Sequence, residues 1–387
     1  MATRKLYYED CHLVQFSARV MSCDQTPKGF AVILDATAFY PEGGGQACDL
    51  GTLGSARVLD VREQGEDVIH LCDSPLPVDS EVTGSIDWDR RFDQMQQHTG
   101  EHILSGLINA RFGYHNVGFH VGKDCMEVDF SGPMTWEQAM ELEEKANAAI
   151  WQDLPIRTWI PTPEELPQVS YRSKRALPWP VRIVEVPGYD CCACCGVHVE
   201  RTGEVGIIKT VSLAKFHDGV RLGMVCGKRA YGWLWAIFEQ NRMISQLFSA
   251  KILDTGHAAQ QFAKTLCAEK ARAAALEKRL FASIAAPYAG KGNVVHFEDG
   301  LTPGSVRELA DAMAAVCGGV AAVLSGCDGR FNVCLIHKNG DVKPLGTAMA
   351  KALNGTGGGK PGSFQGTLRA TRAEIEAFFQ TQQEFSV

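Results

Sequence analysis

His98 and His102 stand four residues apart in the run Gln97-His98-Thr99-Gly100-Glu101-His102-Ile103-Leu104, and much further along Cys194 and His198 repeat the spacing in Cys194-Cys195-Gly196-Val197-His198. Residues i and i+4 share one face of a helix, so each pair can bite a single ion. A fold that uses both pairs must bring two remote stretches to one point. Imidazole and thiolate together favour zinc over the oxygen-seeking Mg²⁺ or Ca²⁺. The zinc-protease motif is absent, because Glu101 adjoins the second histidine instead of following the first. On a helix Glu101 is expected to point roughly 100° away from His102, which removes the protease's general base. Cys191-x₂-Cys194 and Cys192-x₂-Cys195 also match C-x-x-C, but no second such pair completes a four-cysteine site. A redox pair would sit early in a βαβ unit at a helix N-terminus, whereas this one follows the turn Pro187-Gly188-Tyr189-Asp190. Four protein ligands usually mean a closed structural zinc, while hydrolytic zinc keeps a place for water. The sequence leaves both arrangements open.

At 387 residues the chain is long enough for two or three domains, and 45% hydrophobic with 21% charged residues is ordinary for a soluble globular protein. No stretch approaches the roughly 20 apolar residues of a membrane span. The start, Met1-Ala2-Thr3-Arg4-Lys5, has no apolar signal-peptide core, so a cytoplasmic location is expected. Without a secretory signal the 14 cysteines need not form disulfides; Cys11, Cys48, Cys267 and Cys317 read as small buried hydrophobes. A net charge of −7 opposes indiscriminate binding of nucleic acid but leaves room for a local basic groove.

The pattern predicts an α+β multidomain chain. Residues 1–90 read as short strands with Gly/Pro turns, a small β-barrel that carries the loop Thr37-Ala38-Phe39-Tyr40-Pro41-Glu42-Gly43-Gly44-Gly45-Gln46. Residues 91–225 read as an α+β domain holding the proposed ligands. It has a helix from Asp93 through Phe112, strands near Val117–Val121 and Cys125–Phe130, and a helix from about Thr135 to Gln152 with Thr135 as N-cap. Strand-like segments follow at Val181–Val186 and Gly206–Val211. Residues 226–288 read as a helical arm, an αα-hairpin broken near Asp254-Thr255-Gly256, with Phe262, Leu266, Ala273, Leu276 and Leu280 on an apolar seam. Residues 289–387 alternate strands and helices as an α/β domain. Its Gly355-Thr356-Gly357-Gly358-Gly359-Lys360-Pro361-Gly362 stretch is expected between two helices and lacks the setting of a phosphate loop.

The pattern His98-x₃-His102 with Cys194-x₃-His198 resembles the editing domain of alanyl-tRNA synthetases and of free-standing alanyl-tRNA editing proteins of the AlaX type, long form. The loop Phe39 to Gln46, the run Gln96 to His102 and the tail His198 to Gly206 match as well. The helical segment and Gly357 to Gly362 resemble the arm and the DHH-associated C-terminal domain of that family. The chain enters the barrel at once, so no aminoacylation domain is expected before it, and no Asp-His-His run is present. Where the family usually has Cys-Gly-Gly-Thr-His, this chain has Cys194-Cys195-Gly196-Val197-His198. At the place of a family glutamine it holds Lys123.

The resemblance implies a cytoplasmic deacylase of mischarged tRNA(Ala). It would hydrolyse the ester of Ser-tRNA(Ala), and also of Gly-tRNA(Ala), with one Zn²⁺ per chain on His98, His102, Cys194 and His198. An apolar pocket rejects a serine in place of alanine only modestly, whereas a second site built to bind the hydroxyl discriminates well. By resemblance Thr37 contacts that hydroxyl, with a barrel-turn threonine bonding its own backbone as the alternative. His120 and Asp129 are further catalytic candidates. Gly43, Gly44, Gly45 and Gln46 would meet the terminal nucleotide or ester. Lys264, Lys270 and Arg272 on the arm would contact tRNA phosphates, unless they form an ordinary solvated face. The arm's seam or the C-terminal domain could instead mediate a homodimer. The competing class is a zinc-stabilised tRNA-binding protein without catalysis.

Overall fold

Alternation of apolar and polar residues along Gln15–Thr26 (β1) turns Phe16, Ala18 and Val20 inward and their neighbours to solvent. Gly29–Leu34 (β2), Gly51–Leu53 (β3), Ala56–Gln64 (β4), Asp67–Cys72 (β5) and Glu81–Ile86 (β6) follow, and the antiparallel pairs close in the order β1-β2-β5-β4-β3-β6. Closure leaves no unpaired sheet edge. Apolar side chains fill the interior, among them Val32, Leu34, Phe39, Leu53, Val58 and Val68. The structure is a computed structural model and describes residues 2–122, 124–173, 177–382 and 385–386; Lys123 lies outside the described residues.

One inward position of β5 is taken by the fully buried His70. Its Nδ1 lies 3.1 Å from the Val32 carbonyl and its Nε2 lies 2.8 Å from the Thr37 hydroxyl. A carbonyl can only accept, so Nδ1 carries the proton and Nε2 accepts from Thr37, whose oxygen accepts in turn from the Phe39 amide at 3.1 Å. Burial pushes the His70 imidazole down to about 4, against a small opposing pull from the Val32 carbonyl.

Helix α1 (Trp88–Phe112) follows the barrel after a single residue, Asp87, whose side chain caps it by accepting from the Arg90 amide at 3.2 Å. The helix starts five residues before the expected Asp93. Its first turn carries Arg91, wholly buried, which donates from Nε to both oxygens of Asp49 at 3.0 and 2.9 Å, with Nη2 on the same carboxylate. The same guanidinium bonds the Cys11 carbonyl at 3.1 Å and the Ala38 carbonyl at 2.5 Å, and Asp49 also accepts from the Tyr40 amide at 2.6 Å. One buried ion pair thus ties the helix to both ends of the glycine loop.

Asn116–Val121 (β7), Met126–Phe130 (β8), Ile208–Phe216 (β12) and Gly219–Cys226 (β13) form an antiparallel sheet in the order β12-β13-β8-β7. Between them in sequence lie helix α2 (Trp136–Trp151) and a three-stranded sheet of Arg157–Trp159 (β9), Ile183–Val186 (β10) and Asp190–Ala193 (β11). Thr135 caps α2 through a box with Gln138. Helix α1 packs Ile103, Leu104 and Ile108 with Met126, Val128, Leu142, Ala146, Leu222 and Met224. At Gly106 a β-carbon would stand 2.3 Å from the Tyr189 carbonyl, so the absent side chain lets α1 lie directly on the start of β11.

By its contacts the chain divides into Met1–Met243 and Ile244–Val387. Helix α3 (Gly227–Phe248) continues from β13, and helix α4 (Thr255–Ala285) begins at the expected break. In the second unit, Gly292–Phe297 (β14), Gly318–Cys327 (β15), Arg330–Ile336 (β16), Thr356–Lys360 (β17) and Ser363–Leu368 (β18) join Phe385–Ser386 in one sheet, ordered β17-β18-β16-β15-β14 and then 385–386. Helices α5 (Pro303–Cys317), α6 (Lys343–Ala352) and α7 (Arg372–Gln380) accompany it. The glycine-rich stretch lies between two helices in the chain as expected, and forms the edge strand β17 of a hairpin with β18. A β-carbon on Gly357 would lie 2.6 Å from the Gln365 carbonyl, so the strand is held by backbone pairing, which leaves no apolar pattern to read. No helix is long and apolar enough to cross a membrane among the described residues.

Two outcomes follow. Replacing Arg91 by Met leaves Asp49 charged and alone inside the protein, and should destabilise the first unit by about 3–5 kcal/mol. The Arg91→Met, Asp49→Leu pair should recover part of that, read by amide exchange of the barrel strands. His70 remains neutral in the folded barrel down to about pH 4, whereas the unfolded chain takes up a proton near 6.5. The unfolded state therefore binds more protons in that window, and stability should fall by ~3 kcal/mol as pH drops from 6.5 towards 4. His70→Gln should lack this component of the pH-dependent loss in the same measurement.

Candidate metal centre

The two remote pairs meet. His98 and His102 come from the third and fourth turns of α1, while Cys194 and His198 come from the irregular segment after β11. Their ligand atoms all lie within 4.8 Å of one another. Cys194 Sγ is 3.4 Å from His98 Nε2 and 3.5 Å from His198 Nε2. Tetrahedral zinc, with Zn–N near 2.05 Å and Zn–S near 2.3 Å, sets nitrogen and sulfur roughly 3.5 Å apart. The donor spacing fits that ion.

Each imidazole turns Nε2 to the centre; His98 and His198 are hydrogen-bonded from behind at Nδ1, and His102 faces a carboxylate there. The His98 Nδ1 lies 3.0 Å from Gln46 Oε1, the His198 Nδ1 lies 3.1 Å from Thr99 Oγ1, and the His102 Nδ1 lies 3.1 Å from Asp190 Oδ2 in ion-pair reach. Asp190 is itself gripped by Arg172, whose Nε and Nη2 donate at 2.6 and 2.9 Å. Such outer partners fix tautomer and ring plane, leaving the lone pair of Nε2 for an ion. Burial works against ionisation of the Cys194 thiol, yet the imidazoles of His98 and His102 pull it well below the ordinary cysteine range. Burial, with His102 and His98 beside it, pushes His198 down to about 3, which keeps it neutral. Against burial, Cys194 and Asp190 raise His102 well above the usual imidazole range, so an ion that takes its place beside thiolate and neutral imidazole must displace that proton.

The glycine loop is the buttress of this centre. Gly43 and Gln46 exchange backbone hydrogen bonds of 3.1 and 2.9 Å, which turns Gln46 inward to His98 and to the Val197 amide at 3.2 Å. A β-carbon on Gly196 would stand 2.2 Å from the His98 ring, and one on Gly44 would stand 3.0 Å from Cys195 Sγ. Val197 is buried in the apolar core, so the missing family hydroxyl is replaced there by packing.

Beside the centre opens a cavity of about 850 Å³, lined among others by Gly44, His98, Glu101, His102, Asn116, Phe119, Arg172 and Cys194. Glu101 corrects the sequence expectation. It faces this cavity, with Oε2 4.0 Å from His102 Nε2, because a space this wide admits side chains about 100° apart on the helix. Thr37, His120 and Asp129 are not among the lining residues. Thr37 is closed inside the barrel on His70, His120 faces outward on β7, and Asp129 is clasped by Arg221 at 2.7 and 2.9 Å. Of the loop residues Gly44 lines the cavity, while Gln46 holds a ligand. Lys264, Lys270 and Arg272 are exposed on α4 in the second unit. Asp190, Thr99, Arg172 and Asn116 were missed; Asp190 read as a turn residue, and only its place against α1 reveals its part.

A family model described as tRNA synthetases class II (A) matches residues 2–90, the range containing the barrel. Another, described as the threonyl and alanyl tRNA synthetase second additional domain, matches residues 181–222, which include Cys194 and His198. The alanyl-tRNA editing protein Aarsd1-A of Xenopus laevis is 28% identical over 96% of both chains. Aarsd1 of Mus musculus is 27% identical over 97% of both. The alanine–tRNA ligase of Thermofilum pendens is 30% identical over 96% of this chain, which spans only 43% of that ligase. By sequence, the chain is a homologue of the alanyl-tRNA editing proteins along nearly its whole length, and of the corresponding part of alanine–tRNA ligases.

Proposed function

We propose that the chain is a zinc-dependent hydrolase that removes serine, and also glycine, wrongly esterified to tRNA(Ala). The observation that carries this reading is the convergence of three imidazoles and one thiolate at the wall of an open cavity, each imidazole oriented from behind. The relatives named alanyl-tRNA editing proteins support the substrate class. His98, His102, Cys194 and His198 would hold the ion, which when bound supplies a Lewis acid for the ester carbonyl. The chain's own groups do the rest. Gln46, Thr99 and Asp190 fix the rings, and Gly44 leaves room for the nucleotide end of the substrate. Exposed Lys264, Lys270 and Arg272 on α4 would give phosphate contacts to the tRNA body, weakening as salt rises.

Cys194→Ser should lose bound zinc, read by elemental analysis, and reduce release of serine from Ser-tRNA(Ala) by about 100-fold or more. A Cys194→Ser protein that deacylates at the wild-type rate would rule the metal out of the reaction. A zinc-loaded wild-type protein that binds tRNA(Ala) without releasing serine or glycine would support the non-catalytic reading instead. Gln46→Ala keeps all four ligands but frees the His98 ring, and should weaken zinc binding by about 10- to 100-fold in a chelator competition.

A further inference from the structure

Glu101 is buried in the cavity wall, and the nearest group able to carry a positive charge among the described residues is the His102 imidazole. Its side chain is 6% exposed, and it lines the cavity next to the metal ligands without belonging to them. The Ser105 hydroxyl and Asn116 Nδ2, the latter at 2.5 Å, both donate to Oε1. Oε2 is left towards the centre, 4.0 Å from His102 Nε2. No lysine or arginine pairs with Glu101 among the described residues, and Arg172, the guanidinium of the same cavity, is engaged by Asp190. Both donors sit on Oε1, so Oε2 accepts no hydrogen bond from the described residues and would take an N–H donor that arrives in the cavity.

Asn116 supplies a second acceptor. Its Nδ2 is committed to Glu101, which fixes the amide orientation and leaves Oδ1 buried with no partner. A carboxylate oxygen and an orphaned amide oxygen in one wall suit a ligand that is cationic and offers several N–H donors. An aminoacyl ester carries such a group. Its α-nitrogen lies roughly 2.5 Å from the carbonyl carbon by standard bond lengths. A carbonyl at the metal centre would therefore put the ammonium beside the neighbouring carboxylate.

We propose that Glu101 and Asn116 form the seat of the substrate's α-ammonium, so that the cavity accepts aminoacyl esters with a free amino group and rejects N-acylated ones. This rests on the deacylase reading and deepens it, by separating aminoacyl-tRNA from peptidyl-tRNA through charge.

The test uses the full chain, loaded with zinc, and the non-hydrolysable amide 3′-(L-seryl)amino-3′-deoxyadenosine together with its N-acetyl form, by titration calorimetry. The wild type should bind the free amine about 10- to 100-fold more tightly than the acetylated form. Glu101→Gln keeps an acceptor for Ser105 and Asn116, and should bring the two affinities within about threefold by weakening only the free amine. Equal binding of both forms by the wild type overturns the proposal whatever the variant does. So does a Glu101→Gln protein that keeps the preference while losing hydrolysis of Ser-tRNA(Ala), because Glu101 would then act on a proton and not on the ammonium. Hydrolysis is measured separately. Selective analogue binding without deacylation by the wild type sinks the deacylase reading alone.

Discussion

The centre depends on the buried Arg91–Asp49 pair. A single guanidinium on the first turn of α1 grips Asp49 and the carbonyls of Cys11 and Ala38, while Asp49 also holds the Tyr40 amide. Both ends of the glycine loop are thereby fixed to the helix that, two turns later, presents His98. Gln46 can meet the His98 ring because the loop and the helix are registered by this contact. A buried ion pair contributes little net stability on average, and its value here lies in fixing which parts are neighbours.

The candidate metal centre is assembled from elements with separate reasons to be where they are. Thr99 lies on α1 itself, Gln46 comes from the barrel loop, and Asp190 comes from β11, which Gly106 allows to sit against the helix. Each orients one imidazole. The rings are thus directed by three independent supports, which keeps the donors converged without relying on the ion to gather them.

Much of this was legible beforehand because it is periodic or typed. The strands of the barrel alternate, α2 carries its Thr135 cap, and the two pairs that meet at the candidate centre announce themselves by spacing and residue type. What escaped has a physical cause in each case. The edge strand Thr356–Lys360 is built of glycines and pairs through its backbone, so it has no side-chain pattern. Helix α1 begins at Trp88 because Asp87 caps it as the barrel ends, a tertiary junction with only a weak local signal. Glu101 was turned away by helix geometry alone, which describes direction but not the width of the space beyond. Thr37 carried a role by resemblance and, as the alternative, a turn threonine bonded to its own backbone; its hydroxyl does take the Phe39 amide, while the His70 that also holds it is visible only once the barrel closes.

Gly196 carries a consequence for how such a centre is lost. No ligand, supporting hydrogen bond or cavity group is contributed by its side chain, since it has none, yet a methyl there would overlap the His98 ring. A methyl on Gly44 would meet only the sulfur of Cys195, at 3.0 Å, which is not one of the four candidate ligands. The chain can therefore be disarmed by gaining atoms as readily as by losing them. An inventory of donors alone would rate such a change as silent. In a population of sequences that keep all four candidate ligands, the volume at Gly196 would separate those whose donors can converge from those whose donors cannot.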